Sequence, residues 1–86
     1  MNLLPFQFDS AFAAFERAVD VAGSQSELAR IVGCTPANVH QHLRARRLLP
    51  ARFVLAVEAS LGIPRYGLRP DIYPPEEHVP ASQPTA

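Results

Sequence analysis

The stretch QSELARIVGCTPANVHQHL, residues 25–43, decides the fold of this chain. It predicts two helices joined by a tight turn. Gly33 stands where the chain needs a positive φ, and Ala29 stands where the first helix must let the second approach closely. Val39 and Leu43 lie one turn apart on the buried side of the second helix, where it packs against the rest of the domain. This spacing is typical of a helix-turn-helix.

The residues before each helix predict where the two helices begin. Ser24 followed three residues later by Glu27 is a capping box, in which the hydroxyl and the carboxylate each accept a hydrogen bond from a free backbone N–H. Thr35 supplies an N-cap hydroxyl to the second helix, and Pro36 fits its first position, where no N–H is needed. We therefore expect helices to begin near Gln25 and at Pro36.

The second helix of the motif carries a polar face opposite Val39 and Leu43, because successive residues are about 100° apart. The residues on this face are Ala37, His40, Gln41 and Arg44, with Asn38 on its flank. Gln and Asn side chains bond adenine bidentately, Arg bonds guanine, and an alanine methyl contacts the thymine methyl, so the face suits the major groove of DNA. The alternative is an ordinary solvated helix face without a partner.

Composition bounds the size and environment of the fold. The 86 residues, 48% of them hydrophobic, are enough for one small domain. No apolar run is long enough to cross a bilayer, and the start MNLLPFQF lacks the basic region of a secretion signal, so we expect a cytoplasmic protein. Cys34 is the only cysteine, which excludes an intrachain disulfide and indicates a small half-buried filler in the turn.

Charge is segregated along a chain whose formal net charge is zero. Residues 30–69 hold seven arginines against Glu58 alone, a net charge of plus six, whereas residues 1–29 and 70–86 each carry minus three. A local field of this kind attracts phosphate whatever the total charge. All eight basic residues are arginine, which fits phosphate and guanine contacts but also fits GC-rich codon usage. We attribute the general use of arginine instead of lysine to codon usage, and we assign a function only to the arginines within 44–47.

The loop RARRLLP, residues 44–50, holds three arginines directly after the second motif helix. We expect Arg46 and Arg47 to grip the DNA phosphates that flank the groove, which fixes register without reading sequence. A solubilising basic loop is the alternative. His40 and His42 do not predict a metal site, since residues two apart on a helix point about 200° apart and no further ligands accompany them.

Helical spacing of apolar residues predicts supporting helices on both sides of the motif. The first runs over 10–22, with Asp9 as its cap and Gly23 closing it. Another starts around Pro50 and stops at residue 62, and a last short turn or helix is expected around 64–68.

Two terminal segments flank the helix-turn-helix domain that we expect at 9–74. Residues 1–8 form an apolar N-terminal arm with large side chains at positions 3, 4, 6 and 8. They either fold back onto the monomer's own core or dock on a second subunit as an extended segment with one apolar side. Residues 75–86 form a proline-rich tail with little to bury, and we expect it to be disordered.

No arrangement typical of an enzyme occurs in the sequence. It has no phosphate-binding glycine loop, no Cys–His or Ser–His–Asp set from which a site could be argued, and no carboxylate pair with a reason to be buried together. We therefore expect neither catalysis nor a cofactor.

The motif, followed by LPARFVLAVEASLGI and then by GLRPDIYP, is similar to the YdaS-like branch of the Cro/repressor helix-turn-helix superfamily over residues 10–74. The resemblance implies an all-α, compact four- to five-helix DNA-binding domain of prophage or toxin–antitoxin origin. It also implies that Gln25 contacts phosphate. Relatives often carry an aromatic residue where His42 stands and a glycine where Ala45 stands. The second departure predicts that the helix runs on to Arg46 rather than ending near Leu43.

The sequence therefore predicts a transcriptional regulator that binds double-stranded DNA sequence-specifically, most simply a repressor that occludes a promoter. The expected DNA contacts are Gln25, Thr35, Pro36, Ala37, Asn38, His40, Gln41, Arg44, Arg46 and Arg47. One monomer makes too few base contacts for genomic specificity, so we expect a homodimer or higher oligomer on a pseudo-palindrome. The rival is a protein-interaction module in which the same fold binds a toxin or other regulatory protein without reading DNA.

Overall fold

A computed structural model describes residues 3–74 and contains five α-helices. They are α1 (Pro5–Ala22), α2 (Gln25–Val32), α3 (Pro36–Arg44), α4 (Ala51–Leu61) and α5 (Arg65–Leu68). No strand occurs within residues 3–74, so the predicted all-α fold of four to five helices is confirmed. The predicted tail at 75–86 lies outside the described residues, as do the first two residues of the predicted arm.

One hydrophobic core joins all five helices. Its buried members come from every helix and from the loops beside α4: Phe12, Phe15, Ala18, Leu28, Ala29, Val39, Leu49, Phe53, Val54, Val57, Ile63 and Leu68. Ala29 has no exposed surface, in agreement with its predicted place at the close approach of α2 and α3. No polar or charged residue of the described chain is buried, so apolar burial stabilises this core.

The first helix begins at Pro5, five residues before its predicted start. Proline fits the first helical position, and the Gln7 side chain accepts a hydrogen bond from the Leu4 N–H at 2.9 Å, which satisfies one backbone donor at this helix end. Asp9 is therefore an interior helix residue and not the predicted cap. Of the two alternatives for the arm, the extended segment does not occur at positions 5–8, because these residues form the first turn of α1.

The apolar residues of the N-terminal segment divide between core and solvent. Phe8 packs against the core and stacks on Phe12, with ring centroids 6.4 Å apart and planes 4° apart. Leu4 and Phe6 remain 56% and 67% exposed. Folding back onto the monomer therefore accounts for Phe8 but not for Leu4 or Phe6.

The last two helices follow the predicted pattern. α4 ends at Leu61 and is capped by Gly62, whose φ of 75° is left-handed. The Glu58 carboxylate then accepts hydrogen bonds from the backbone N–H of Arg65 at 3.0 Å and from its Nε at 2.8 Å. This pairing holds the start of α5 against α4.

Arg69 attaches the segment after α5 to the rest of the domain. Its Nε and Nη2 donate to the two carboxylate oxygens of Asp71 at 3.0 and 2.7 Å, and its Nη1 donates to the Leu49 carbonyl at 3.0 Å. The guanidinium lowers the pKa of Asp71, because hydrogen bonding stabilises the ionised carboxylate. The segment 69–74 thus closes over the loop that precedes α4.

Candidate nucleic-acid interface

The predicted turn between α2 and α3 is present. Gly33 has a φ of 83°, and its N–H donates to the Ala29 carbonyl at 2.8 Å. Thr35 Oγ1 accepts a hydrogen bond from the Asn38 N–H at 3.1 Å, which caps α3 at its predicted start. Residues close in sequence therefore fix the angle at which α3 leaves α2.

The predicted capping box of α2 is only half formed. Ser24 Oγ accepts a hydrogen bond from the Glu27 N–H at 3.0 Å, as expected. The Glu27 carboxylate instead binds Arg30 Nη2 at 2.7 Å, and this hydrogen bond lowers the pKa of Glu27. A cation one turn along the helix has replaced the backbone N–H as the partner of this carboxylate.

α3 has a buried side and an exposed side, as its sequence predicted. Val39 is 4% exposed, and Leu43 is half-buried against the core. The expected DNA contacts that are exposed at the start of α3 and along it are Thr35, Pro36, Ala37, His40, Gln41 and Arg44. Asn38 is half-buried on the flank of α3, and Gln25 is half-buried at the start of α2. One side of the helix-turn-helix is therefore open to a partner.

α3 ends at Arg44, so the predicted extension of this helix to Arg46 is wrong. The Arg46 N–H donates to the Leu43 carbonyl at 3.1 Å, and the Arg47 N–H donates to the His42 carbonyl at 2.8 Å. Arg46 has a left-handed φ of 55°. These features form a Schellman motif, which ends a helix and normally has glycine at the left-handed position.

In the folded chain, most of the arginines at 30–69 form ion pairs with carboxylates. Four of the seven arginines form ion pairs of 2.6 to 2.8 Å, namely Arg30, Arg46, Arg65 and Arg69. Arg52 lies over the Phe53 ring, 4.5 Å from its centroid. Neither Arg44 nor Arg47 forms an ion pair with a carboxylate in the part of the chain that the structure describes. The unpaired positive charge therefore gathers near the end of α3.

A surface hollow of about 380 Å³ lies at this end of α3. It is lined by Gln41, His42, Arg44, Ala45 and Arg47. The C-terminus of a helix carries about half a negative charge, which two guanidinium groups outweigh. The hollow is thus suited to an anionic group such as a phosphate.

The two arginines expected to grip phosphate differ in their surroundings. Both side chains are exposed, but the Arg46 Nη2 donates to Asp9 Oδ1 at 2.6 Å. The Arg46 guanidinium also lies 5.7 Å from the Phe8 ring centroid and 4.9 Å from that of Phe12. The sequence did not predict this contact, because Asp9 was interpreted as a helix cap and position 8 as part of an N-terminal arm.

The isolated cysteine and the histidine at the end of α3 have local partners. Cys34 is half-buried, as predicted, and desolvation raises the pKa of its thiol, although the charge of Arg52 opposes this shift. His42 Nδ1 lies 2.9 Å from the Asn38 carbonyl oxygen. Residues 3–74 contain no cluster of three or more His, Cys, Asp and Glu side chains that could hold a metal ion.

Comparison with known proteins assigns the family. The family model described as "Bacterial toxin YdaS" matches residues 15–77. The chain belongs to the YdaS family. A protein of Escherichia coli (strain K12) named "Putative transcriptional regulator YdaS" is 41% identical over 61 residues, which are 69% of this chain and 62% of that relative. The chain thus spans less than two thirds of the relative's length. No solved structure gives a significant match.

The YdaS resemblance expected from the sequence is therefore confirmed. The matched range contains the whole helix-turn-helix and the segment 69–74, which are the parts that carried the resemblance. The two names differ in emphasis, because the family is described as a toxin and the relative as a regulator. Among the described helices, none combines the length and apolar character that crossing a membrane requires.

Proposed function

We propose that this protein is a transcriptional regulator that binds double-stranded DNA sequence-specifically through α3. The observation that carries the proposal is the exposed polar face of a short helix that Thr35 caps at its start and a Schellman motif ends. Such a helix can enter a major groove without rearrangement. The name of the E. coli relative supports a role in transcription.

Base reading is assigned to the exposed face of α3. Gln41 and Arg44 lie one turn apart, and both are exposed. A glutamine can bond both polar atoms of an adenine edge, and an arginine those of a guanine edge. Ala37 and His40 lie on the same face and contact neighbouring bases, while Asn38 reaches the groove from its flank.

Phosphate contacts are assigned to the two ends of the motif. The N-termini of α2 and α3 offer free backbone N–H groups beside Gln25, Thr35 and Pro36, and helix N-termini favour phosphate. Arg47 supplies a cation beyond the other end of α3. These contacts fix the register of the helix on DNA without reading bases.

A pair of protomers is needed for a useful operator. One α3 reaches only a few base pairs, so two copies on half-sites about 34 to 36 Å apart would give the specificity that a genome demands. We propose a homodimer or a higher oligomer that represses by occluding a promoter. We propose a prophage or toxin–antitoxin setting, for which the description of the family as a bacterial toxin is the support.

Selection of binding sites from a random duplex library tests the proposal. We expect sequencing of the retained DNA to show an enriched motif, and Gln41→Ala to lose preference at one position of it. Arg17→Ala is the matched control, because Arg17 is also exposed but lines a different hollow with Leu61 and Pro64. A folded protein that enriches no motif would favour the protein-interaction module, with a toxin or another regulatory protein as its partner.

A further inference from the structure

Arg46 occupies a backbone position that arginine rarely adopts. Its φ of 55° is the only positive φ of a non-glycine residue in the described chain. Side chains with a Cβ are strained there, and helices that end in this way usually have glycine at this position. An arginine at this position therefore has a stabilising contact elsewhere.

That contact is with one face of α1. The guanidinium donates to Asp9 at 2.6 Å in an exposed ion pair, which contributes little by itself, and it also lies over the rings of Phe8 and Phe12. The two rings are nearly parallel, with centroids 6.4 Å apart, and these centroids lie 5.7 and 4.9 Å from the guanidinium carbon. Arginine fits such a site better than lysine, because its planar group can stack and form hydrogen bonds at once.

The contact joins the end of α3 to a distant helix. α3 packs chiefly against α2, and Arg46 lies two residues beyond its last helical residue. Asp9 and Arg46 are 37 residues apart in sequence. The side chain thus connects the end of α3 that carries Gln41 and Arg44 to α1.

We propose that Arg46 is a positioning residue for DNA reading and not a phosphate ligand. The proposal rests on the proposed function and changes the role that the sequence alone predicts for Arg46. To bind phosphate, the guanidinium would have to leave a carboxylate and two aromatic rings. Arg46 instead holds the end of α3 at the angle that aligns Gln41 and Arg44 with base edges.

The test compares Arg46→Gly with Arg47→Gly in binding to the selected duplex and to a scrambled duplex, by fluorescence anisotropy over a range of salt concentrations. Glycine suits the left-handed position, so Arg46→Gly keeps the turn. For Arg46→Gly we expect the preference for the selected duplex to fall about tenfold. Its log–log salt slope should equal that of the wild type. Arg47→Gly should lower the slope by about two in a dimer, because each protomer loses one contact, and should weaken both duplexes alike.

A second variant tests the contact with α1. Asp9→Asn should reduce the preference as Arg46→Gly does, and the double variant should lose little more, because both changes break one interaction. A slope lowered by about two in Arg46→Gly with an unchanged preference would show that Arg46 binds phosphate. Additive losses in the double variant would also overturn the proposal.

A measurement without DNA separates this proposal from the proposed function. Asp9→Asn should shift the backbone amide resonances of residues 41–44 in the free protein, since the contact sets the position of that end of α3. Unchanged resonances would contradict the positioning role even if DNA binding is specific. A wild-type protein with no preference between the two duplexes would instead contradict sequence-specific binding, and the resonances would still decide whether Arg46 positions α3.

Discussion

Replacing Arg69 with alanine should destabilise the fold more than any other single loss of an arginine. The side chain forms three hydrogen bonds, two to Asp71 and one to the Leu49 carbonyl. Arg69 and Asp71 are only 19% and 17% exposed, so solvent screens their interaction little. The change leaves a partly buried carboxylate and a carbonyl oxygen without their donor.

The magnitude follows from these orphaned groups. Hydrogen bonds to charged groups contribute about 1.5 to 3 kcal/mol each, and the two bonds to Asp71 share one carboxylate. Together with the lost bond to Leu49, we expect a loss of about 3 kcal/mol in the free energy of unfolding. For a domain of this size each kcal/mol lowers Tm by about 4 to 8 °C, so Tm should fall by about 12 to 24 °C.

Thermal unfolding followed by circular dichroism measures this effect. Arg30→Ala is the control, because its ion pair with Glu27 has the same 2.7 Å separation but side chains that are 72% and 47% exposed. An exposed pair of this kind should contribute almost nothing to stability. If Arg69→Ala lowers Tm no more than Arg30→Ala does, the hydrogen bonds of Arg69 to Asp71 and Leu49 do not stabilise the fold.

Three further predictions concern pH, the turn and the reading face. The pKa of Asp71 in the folded protein lies below its ordinary value of 3.8, so Asp71→Asn should lower the free energy of unfolding near neutral pH. This deficit should vanish in urea titrations as pH falls through the folded-state pKa, and a pH-independent deficit would contradict the assignment. Gly33→Ala should cost about 1 to 2 kcal/mol through backbone strain alone, since nothing lies within 4 Å of the added Cβ; an unchanged Tm would remove the strain argument. Gln41→Ala and Arg44→Ala should each cost about 1 to 3 kcal/mol on the selected duplex and little on random DNA by anisotropy, whereas Arg47→Ala should weaken both; equal losses in all three would refute the division between reading and gripping.

The helix-turn-helix could be predicted from sequence because its determinants are local. The caps at Ser24 and Thr35 each accept a hydrogen bond from an N–H only three residues away. The turn needs only a residue that tolerates a positive φ, and Gly33 is such a residue. The polar face of α3 follows from helical periodicity once its start is fixed. These features need no knowledge of distant contacts.

The remaining features depend on contacts that no local rule supplies. α1 begins at Pro5 because proline tolerates the first helical position and Gln7 caps the backbone. In the sequence, the alternation of apolar residues at positions 4, 6 and 8 indicated an extended segment instead. The end of α3 depends on Arg46, whose unusual φ is accompanied by contacts with α1, 37 residues earlier. Sequence periodicity therefore placed the helices, but not the side chains that join their ends.

The same limit applies to charge. Counting along the chain gave plus six for residues 30–69, yet folding brings Glu27, Asp9 and Asp71 from outside that range to its arginines. The partner of Arg65 is Glu58, which the count included. The positive field at α3 is consequently weaker than the net charge of plus six for residues 30–69 indicates, and it is concentrated near the end of α3.

Sequence-specific DNA binding is tested most directly by one comparison. The affinity of the wild-type protein is measured for its selected duplex and for a scrambled duplex of the same composition. We expect a preference of at least about a hundredfold, since each mismatched base pair costs about 1 to 3 kcal/mol. Affinity for both should fall with salt, with a log–log slope no steeper than about −5 for a dimer in which each protomer has three arginines without an ion pair within residues 30–69. Equal affinity for the two duplexes would contradict sequence-specific DNA binding by this fold.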